Sequence, residues 1–202
     1  MVKTTNLQAK EEWVMKKLNT FYHDPCNLKQ FLQVVSNNKK GKLSLRLIDW
    51  FITNYAKKNN ISYSITRPNG QVERFLPYQR YRDQLTSYPK KLFDPFCRGK
   101  VFDYIIPTEF NSFLNIDDET SLSVETAVCQ LHFFKWAIEN LMLSYISSNL
   151  ELIYNDMQSF CSNKHGSQLE YKVDVGQTKR QLSQSVHEKM VSIDEPLTVS
   201  IG

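Results

Sequence analysis

The chain has 202 residues, of which 41% are hydrophobic and 12% are aromatic. These amounts allow one folded domain with a buried core and exclude a disordered protein. No stretch approaches the roughly 18 uninterrupted apolar residues that span a bilayer, and the N-terminus lacks the apolar segment of a signal peptide. We therefore expect an intracellular protein without membrane contact. Four widely separated cysteines without a CxxC pair indicate free thiols in a reducing compartment: Cys26, Cys97, Cys129 and Cys161.

The net charge of +4 is unevenly distributed along the chain. Residues 39–100 contain 14 Lys and Arg against 4 Asp and Glu, whereas residues 101–160 contain 1 Lys against 9 Asp and Glu. A basic half therefore precedes an acidic half, and such segregation predicts a charged binding face. The alternative is that the two halves pack together and neutralise each other.

The first 60 residues predict three helices. Apolar residues recur at helical spacing over 7–22, and a second short helix follows over 28–35, with Asn27 as its N-cap. Ser44 is the predicted N-cap of the third helix, which has a broad apolar face and ends in two lysines that complement the helix dipole.

The middle of the chain predicts a hairpin, a helix and a strand. Two β-prone runs flank Arg67-Pro68-Asn69-Gly70, a sequence typical of a tight turn. A short helix is predicted over 78–88, where Pro89 stops it, and VFDYIIP at 101–107 predicts a buried strand.

The last 80 residues predict one long apolar helix and a tail. The helical pattern runs from about Val124 to Phe160, with a weak point at 147–149. The polar segment 161–202 predicts a mobile, partly ordered tail, and its end at 197–201 alternates like a strand that docks on a sheet edge. We predict an α+β fold, with helices around a small antiparallel sheet and residues 1–160 as a single domain.

Three residue groups have features of catalytic or metal sites. His23 and Cys26 have the spacing of two zinc ligands, but no second pair follows at a useful distance. Cys97 has basic neighbours that would activate a thiol, although a buried structural cysteine is the more common role of such a residue. The acidic residues at 117–119 lack the spacing of a calcium loop. Nucleophile-elbow, P-loop and dinucleotide-binding motifs are absent, so we predict a non-enzyme without cofactor or metal.

The strongest candidate site is a basic region interleaved with aromatic residues. Guanidinium and ammonium groups contact phosphates, and exposed rings stack on the bases of a single strand. The predicted nucleic-acid-binding residues are Arg67, Arg74, Arg80, Arg82, Lys90, Lys91, Arg98, Lys100, Tyr78 and Tyr81. The alternative is that the rings belong to the core and the charges form its solvated rim.

Three stretches resemble an uncharacterised protein family of the nucleocytoplasmic large DNA viruses, mimivirus-like and phycodnavirus-like. They are KLSLRLIDWFITNYAKKNN at 42–60, YPKKLFDPFCRGK at 88–100 and AVCQLHFFKWAIENLMLSYI at 127–146, and the ending LSQSVHEKM with EPLTVSIG is similar as well. The resemblance implies a viral protein made in an infected eukaryotic cell, in the host cytoplasm, the viral factory or the virion. It implies no particular chemistry.

Three hypotheses follow for the function. The first is a non-catalytic viral protein that contacts nucleic acid through the basic aromatic face during genome expression or packaging. The second is a virion structural or assembly protein that docks on viral protein partners through its C-terminal tail. The third is an enzyme of unrecognised type.

Overall fold

The structure is a computed structural model that describes residues 2–35, 42–96, 98–114 and 122–165, and it confirms the α+β class. Helices and strands follow one another as α1 Val2–Tyr22, α2 Pro25–Val35, α3 Leu45–Trp50, a π-helical turn Phe51–Tyr55, α4 Ala56–Lys58, β1 Tyr63–Thr66, β2 Val72–Phe75, α5 Pro77–Ser87, β3 Val101–Ile106, a short 3-10 helix Thr108–Phe110, β4 Leu122–Ala127, α6 Val128–Glu139, α7 Met142–Ser148 and α8 Leu150–His165.

The first two helices lie where the sequence predicts them, but the predicted cap of α2 is wrong. Asp24 rather than Asn27 precedes the first turn, and its Oδ1 accepts a hydrogen bond of 2.8 Å from the Cys26 backbone N–H. Pro25 then fits the first helical position, because its missing N–H would have no helical acceptor there. Asn27 lies inside α2 and donates from Nδ2 to the Phe21 carbonyl at 3.1 Å, which ties the two helices together.

The third helical segment begins at its predicted cap, Ser44, and contains a π-helical turn that the sequence does not predict. Ser44 Oγ accepts a hydrogen bond from the Leu47 backbone N–H at 3.3 Å. After Trp50 the chain widens into the π-helical turn, where the Ala56 N–H bonds to the Phe51 carbonyl five residues earlier. Such turns are rare and occur frequently at functional sites.

The predicted sheet is two separate two-stranded antiparallel sheets within the described residues. The predicted hairpin is confirmed as β1–β2, and Gly70 at its tip has a φ of +79°, which a residue with a side chain rarely adopts. Ile65 and Phe75 face the core from this hairpin. The second sheet pairs β3 with β4, and β3 is less buried than predicted: Ile106 is buried, whereas Ile105 is 66% exposed.

The predicted long helix differs from the structure at its start and in its continuity. Residues 122–127 form strand β4, and the helical segment after it is three helices. Asn149 separates α7 from α8 at the predicted weak point. A second break was not predicted: Leu141 has a φ of +52°, and the buried Asn140 side chain donates to the Trp136 carbonyl at 2.7 Å.

Helix α6 forms the centre of the core. Helices α1 and α2 pack against it, and its Phe133, Phe134 and Trp136 side chains are buried. Tyr22 of α1 is fully buried, and its hydroxyl donates to the Leu131 carbonyl at 2.8 Å. Burial raises the pKa of Tyr22 well above its usual value, so this phenol stays a hydrogen-bond donor.

The predicted tail lies mostly outside the described residues. Helix α8 extends to His165, five residues beyond the predicted domain end at 160. The predicted docking strand at 197–201 and the acidic loop at 117–119 fall outside the described part of the chain. Among the described helices, none combines the length and the hydropathy needed to cross a membrane.

Candidate nucleic-acid interface

The segment 88–100 is hydrogen-bonded to the first turn of α6. The Asp94 backbone N–H donates to the Cys129 carbonyl at 3.1 Å, and Gln130 Nε2 donates to the Pro95 carbonyl at 2.9 Å. Gln130 Oε1 in turn accepts from the Thr126 hydroxyl at 2.8 Å. Two of the stretches that carry the family resemblance are therefore in direct contact.

Arg98 belongs to this attachment and is not a free cation. Its Nε and Nη2 donate to the two Asp94 carboxylate oxygens at 2.5 and 2.9 Å, and the Asp94 side chain is 2% exposed. The hydrogen bond to Asp94 raises the pKa of Arg98 above its usual value. The nearby Asp49 carboxyl has a raised pKa, mainly because of its burial, and the Arg98 charge opposes that shift. Arg98 thus forms an ion pair with the buried Asp94 carboxylate, and its charge also counteracts the rise in the pKa of Asp49.

Arg67 is also engaged inside the fold. Its guanidinium pairs with Glu73 across the hairpin, donates to Asn140 Oδ1 at 2.8 Å and donates to the Glu139 carbonyl at 3.2 Å. Asn140 and Glu139 stand at the end of α6, so Arg67 joins the hairpin tip to that helix. The hydrogen bond from Arg67, with a smaller contribution from the Arg80 charge, lowers the pKa of Glu73.

The two predicted tyrosines are half-buried. The Tyr81 ring lies about 6 Å, centroid to centroid, from Phe93 and Trp136, and burial raises the pKa of Tyr81 to about 12. Tyr81 is therefore a core residue with a polar tip and offers little ring surface to a base. Tyr78 packs against the core as well, and the Lys57 ammonium lies 5.4 Å from its ring centroid.

The other six predicted cations are exposed: three lie on β2 and α5, and three lie on the segment after α5. Arg74 points outward from β2, where its Nε donates to Ser62 Oγ at 2.8 Å. Arg80 and Arg82 lie on opposite flanks of α5, because two residues correspond to a rotation of about 200° around a helix. Arg80 shares its flank with the hairpin, close to Glu73.

The remaining three exposed cations lie on the segment after α5. Lys90, Lys91 and Lys100, hereafter the loop lysines, are exposed, and the Lys91 backbone approaches Gly99, the residue before Lys100. Lys10 of α1 reaches the same end of α5, where its Nζ donates to the Ser87 carbonyl at 3.1 Å. None of the loop lysines forms an ion pair with a residue that the structure describes.

Few ion pairs join the basic half to the acidic half among the residues that the structure describes. Across the described ranges, Lys58–Asp156, at 2.7 Å, is the ion pair that joins the basic half to the acidic half. The remaining described pairs stay within one half: Arg67–Glu73, Arg98–Asp94 and Lys135–Glu139.

Most of the described cysteine and histidine side chains that were candidates for a catalytic or metal site, or that lie in the core, make packing contacts and hydrogen bonds within the fold. Cys129 is buried, and desolvation raises the pKa of its thiol. His132 Nδ1 donates to the Leu92 carbonyl at 2.8 Å, and burial lowers the pKa of this imidazole, which keeps it neutral. His23 lies against the Phe110 ring, and Cys26 is exposed. Cys97 is outside the described residues, and the described part of the chain contains no group of three potential metal ligands.

Sequence reasoning missed an open cleft of about 510 Å³ between the π-helical turn and α8. Trp50 and Phe160 form its aromatic wall, with ring centroids 4.8 Å apart. The cleft is lined by Trp50, Thr53, Asn54, Lys57, Lys58, Asp156, Ser159 and Phe160. The adjacent lysines at 57 and 58 are the sequence feature that could have indicated a site here. The sequence does not show that α8 packs beside them.

The comparisons with known proteins place the chain in a family. A model of a family of unknown function, DUF7197, matches residues 3–200. The chain belongs to this family. The DUF7197 chain is also 37% identical over 121 residues to an uncharacterized protein, L507, of Acanthamoeba polyphaga mimivirus. The match covers 60% of this chain and 44% of that relative, so the chain spans less than half of the relative's length. No solved structure matches this DUF7197 chain.

The resemblance to a giant-virus family that the sequence motifs indicate is therefore confirmed. Because neither the family nor the mimivirus relative has a described activity, residue roles in this DUF7197 chain rest on its own geometry.

Proposed function

We propose that this DUF7197 chain is a non-catalytic viral protein that contacts nucleic acid through its basic face during genome expression or packaging. The observation that carries the proposal is the group of loop lysines, which are exposed and have no ion pair within the described ranges. Cations without a protein counterion gain most from phosphate contact, because binding there releases condensed counterions without breaking an existing pair.

Two further features support a nucleic-acid ligand. The exposed Arg74 and Arg80 extend the positive surface toward the hairpin, and Lys10 extends it toward α1. Within the described residues, one ion pair, Lys58–Asp156, joins the basic half to the acidic half, and the loop lysines, Arg74 and Arg80 are exposed.

The test replaces the loop lysines together, as Lys90→Ala, Lys91→Ala and Lys100→Ala. Binding to a labelled single-stranded oligonucleotide is measured across a salt series. Each lost phosphate contact lowers the slope of log affinity against log salt by about 0.7, so the triple variant is expected to lose about 2 units of slope. Removal of solvated side chains should leave the unfolding midpoint close to that of the wild type.

The control variant removes the same charge from lysines of the first two helices. Lys16 and Lys17 of α1 and Lys29 of α2 are replaced by Ala, which leaves the net charge equal to that of the loop variant. This control should keep most of the wild-type slope. If both variants lose the same slope, net charge alone determines binding and the loop lysines are not the contact site.

A further inference from the structure

We propose that the exposed Phe96 ring stacks on one unpaired base of a single-stranded nucleic acid whose phosphates contact the loop lysines. This inference rests on the proposed nucleic-acid binding and names its stacking residue and its preferred strand. Phosphate contact alone predicts neither, because lysines bind the phosphates of single strands and of duplexes.

Phe96 projects from a part of the chain that is otherwise buried. Residues 92–95 just before it are buried, whereas Phe96 is 41% exposed. The Phe93 ring, three positions earlier, lies fully in the core. The core therefore takes the first ring of the sequence FDPF at 93–96 and leaves the second ring at the surface.

The turn that carries Phe96 is fixed to the rest of the fold. Asp94 Oδ1 accepts a hydrogen bond of 3.2 Å from the Phe96 backbone N–H. The Asp94 N–H and the Pro95 carbonyl are in turn hydrogen-bonded to the first turn of α6. A ring held in this way loses little conformational freedom when a base covers it, which favours binding.

Arg98 lies over the Phe96 ring without removing its exposure. The guanidinium carbon is 5.5 Å from the ring centroid, and the ion pair with Asp94 holds this guanidinium in place. The 41% exposure of Phe96 is the surface that remains with Arg98 in position. A base therefore finds apolar ring surface beside an arginine, a combination that proteins use to bind single strands.

The loop lysines lie at the ends of the loop that carries this ring. The Lys91 carbonyl oxygen is 3.5 Å from the position that a Cβ on Gly99 would occupy, so the chain closes between Lys91 and Lys100. Phe96 lies midway along this closed loop, and its Cα is within about 18 Å of both lysine Cα atoms, the length of five extended residues. A few nucleotides of a single strand span that distance, so a strand on the lysines brings a base to the ring.

The two tyrosines that the sequence predicts for stacking are less suited to it. Tyr78 and Tyr81 both pack against the core, and Tyr81 lies among the rings of Phe93 and Trp136. Phe96 thus takes the role that the sequence assigns to the tyrosines.

The experiment compares four single variants of the full chain. Phe96→Ala removes the ring, Phe96→Leu keeps an apolar side chain without a ring, and Phe96→Trp keeps a stacking ring. The matched control is Phe113→Ala, because Phe113 is 40% exposed and also has an ammonium group, that of Lys29, 5.0 Å from its ring centroid. The probes are a labelled oligothymidylate of about 12 nucleotides, which is within the usual size of single-strand sites, and a duplex of the same length.

Phe96→Ala should weaken binding to the oligothymidylate about 5- to 100-fold, the loss typical of one base–aromatic stack. The slope of log affinity against log salt should not change, because stacking releases no counterions. Phe96→Leu should lose nearly as much, whereas Phe96→Trp and Phe113→Ala should bind like the wild type. All four variants should bind the duplex like the wild type, because its bases are already stacked on one another.

Unfolding midpoints near the wild-type value show that the variants are folded, and Phe96→Leu keeps the test valid if the alanine variant is destabilised. Wild-type affinity of Phe96→Leu for the oligothymidylate overturns the stacking role, and so does a loss that is equally large on the duplex. In either case a reduced salt slope of the loop-lysine variant would leave the proposed function standing. Failure of the wild type to bind any strand overturns both proposals.

Discussion

Removal of Arg98 should destabilise the fold more than removal of the Asp94 charge, although both changes break the same ion pair. The pair is asymmetric: the Arg98 side chain is 62% exposed, whereas the Asp94 side chain is 2% exposed. In Arg98→Ala the carboxylate stays buried and keeps one described donor, the Phe96 backbone N–H at 3.2 Å. In Asp94→Asn the guanidinium returns to water, and the amide oxygen can still accept from Phe96.

The expected magnitudes follow from this geometry. Removing one partner of a buried pair costs about 3–5 kcal/mol when the remaining charge is fully enclosed. Because Arg98 covers Asp94 from the solvent side, water entering after its removal should reduce that cost to about 2–4 kcal/mol for Arg98→Ala. Asp94→Asn loses charge-assisted hydrogen bonds but leaves no buried charge, and about 1–2 kcal/mol is expected.

The assay is urea unfolding followed by circular dichroism, with Arg82→Ala as the control. Arg82 is an exposed arginine on α5 and should change the free energy of unfolding by less than about 0.5 kcal/mol. The double variant Asp94→Asn/Arg98→Ala should unfold with nearly the free energy of Asp94→Asn alone, because the buried charge is gone in both. Equal costs for the two single changes, or an Arg98→Ala cost as small as that of the control, would refute the assignment of Arg98 to the fold.

Two further predictions concern residues around the same segment. Burial raises the folded-state pKa of Asp49 above its unfolded value, so the wild type loses stability as the pH rises through that folded-state pKa. Asp49→Asn should remove this loss, and urea unfolding between about pH 4 and pH 8 checks it; an unchanged pH profile would contradict the shift. In Gly99→Ala the new Cβ would lie 2.9 Å from Cys129 Sγ, inside a core that cannot readily yield. A loss of about 1–3 kcal/mol is expected and should shrink when Cys129→Ala is added; a loss that persists would place the strain elsewhere.

Elements with local signals were predictable from the sequence. The Ser44 cap acts on a residue three positions away, and the hairpin is closed by the adjacent turn at 67–70. Strand β4 was missed because its partner β3 lies about 20 residues earlier, and its apolar residues also fit a helical pattern. The break at Leu141 has no sequence signal either, because leucine rarely adopts a positive φ.

The candidate site was predictable in its charge and not in its contacts. The excess of basic residues over 39–100 can be counted in the sequence. Lysines are usually exposed, and the loop lysines are exposed in the structure as well. The roles of Arg67 and Tyr81 depend on residues of α6 more than 50 positions away, and no spacing rule connects them. The cleft at Trp50 was missed for the same reason, because its second wall comes from α8.

The most direct test of the central claim is the affinity of the wild-type chain for labelled single-stranded DNA, duplex DNA and RNA across a salt series. Contact between the basic face and phosphates predicts binding at physiological salt, with log affinity falling steeply against log salt. Absence of binding to all three ligands at low salt would contradict nucleic-acid contact and leave the exposed lysines to a different anionic ligand.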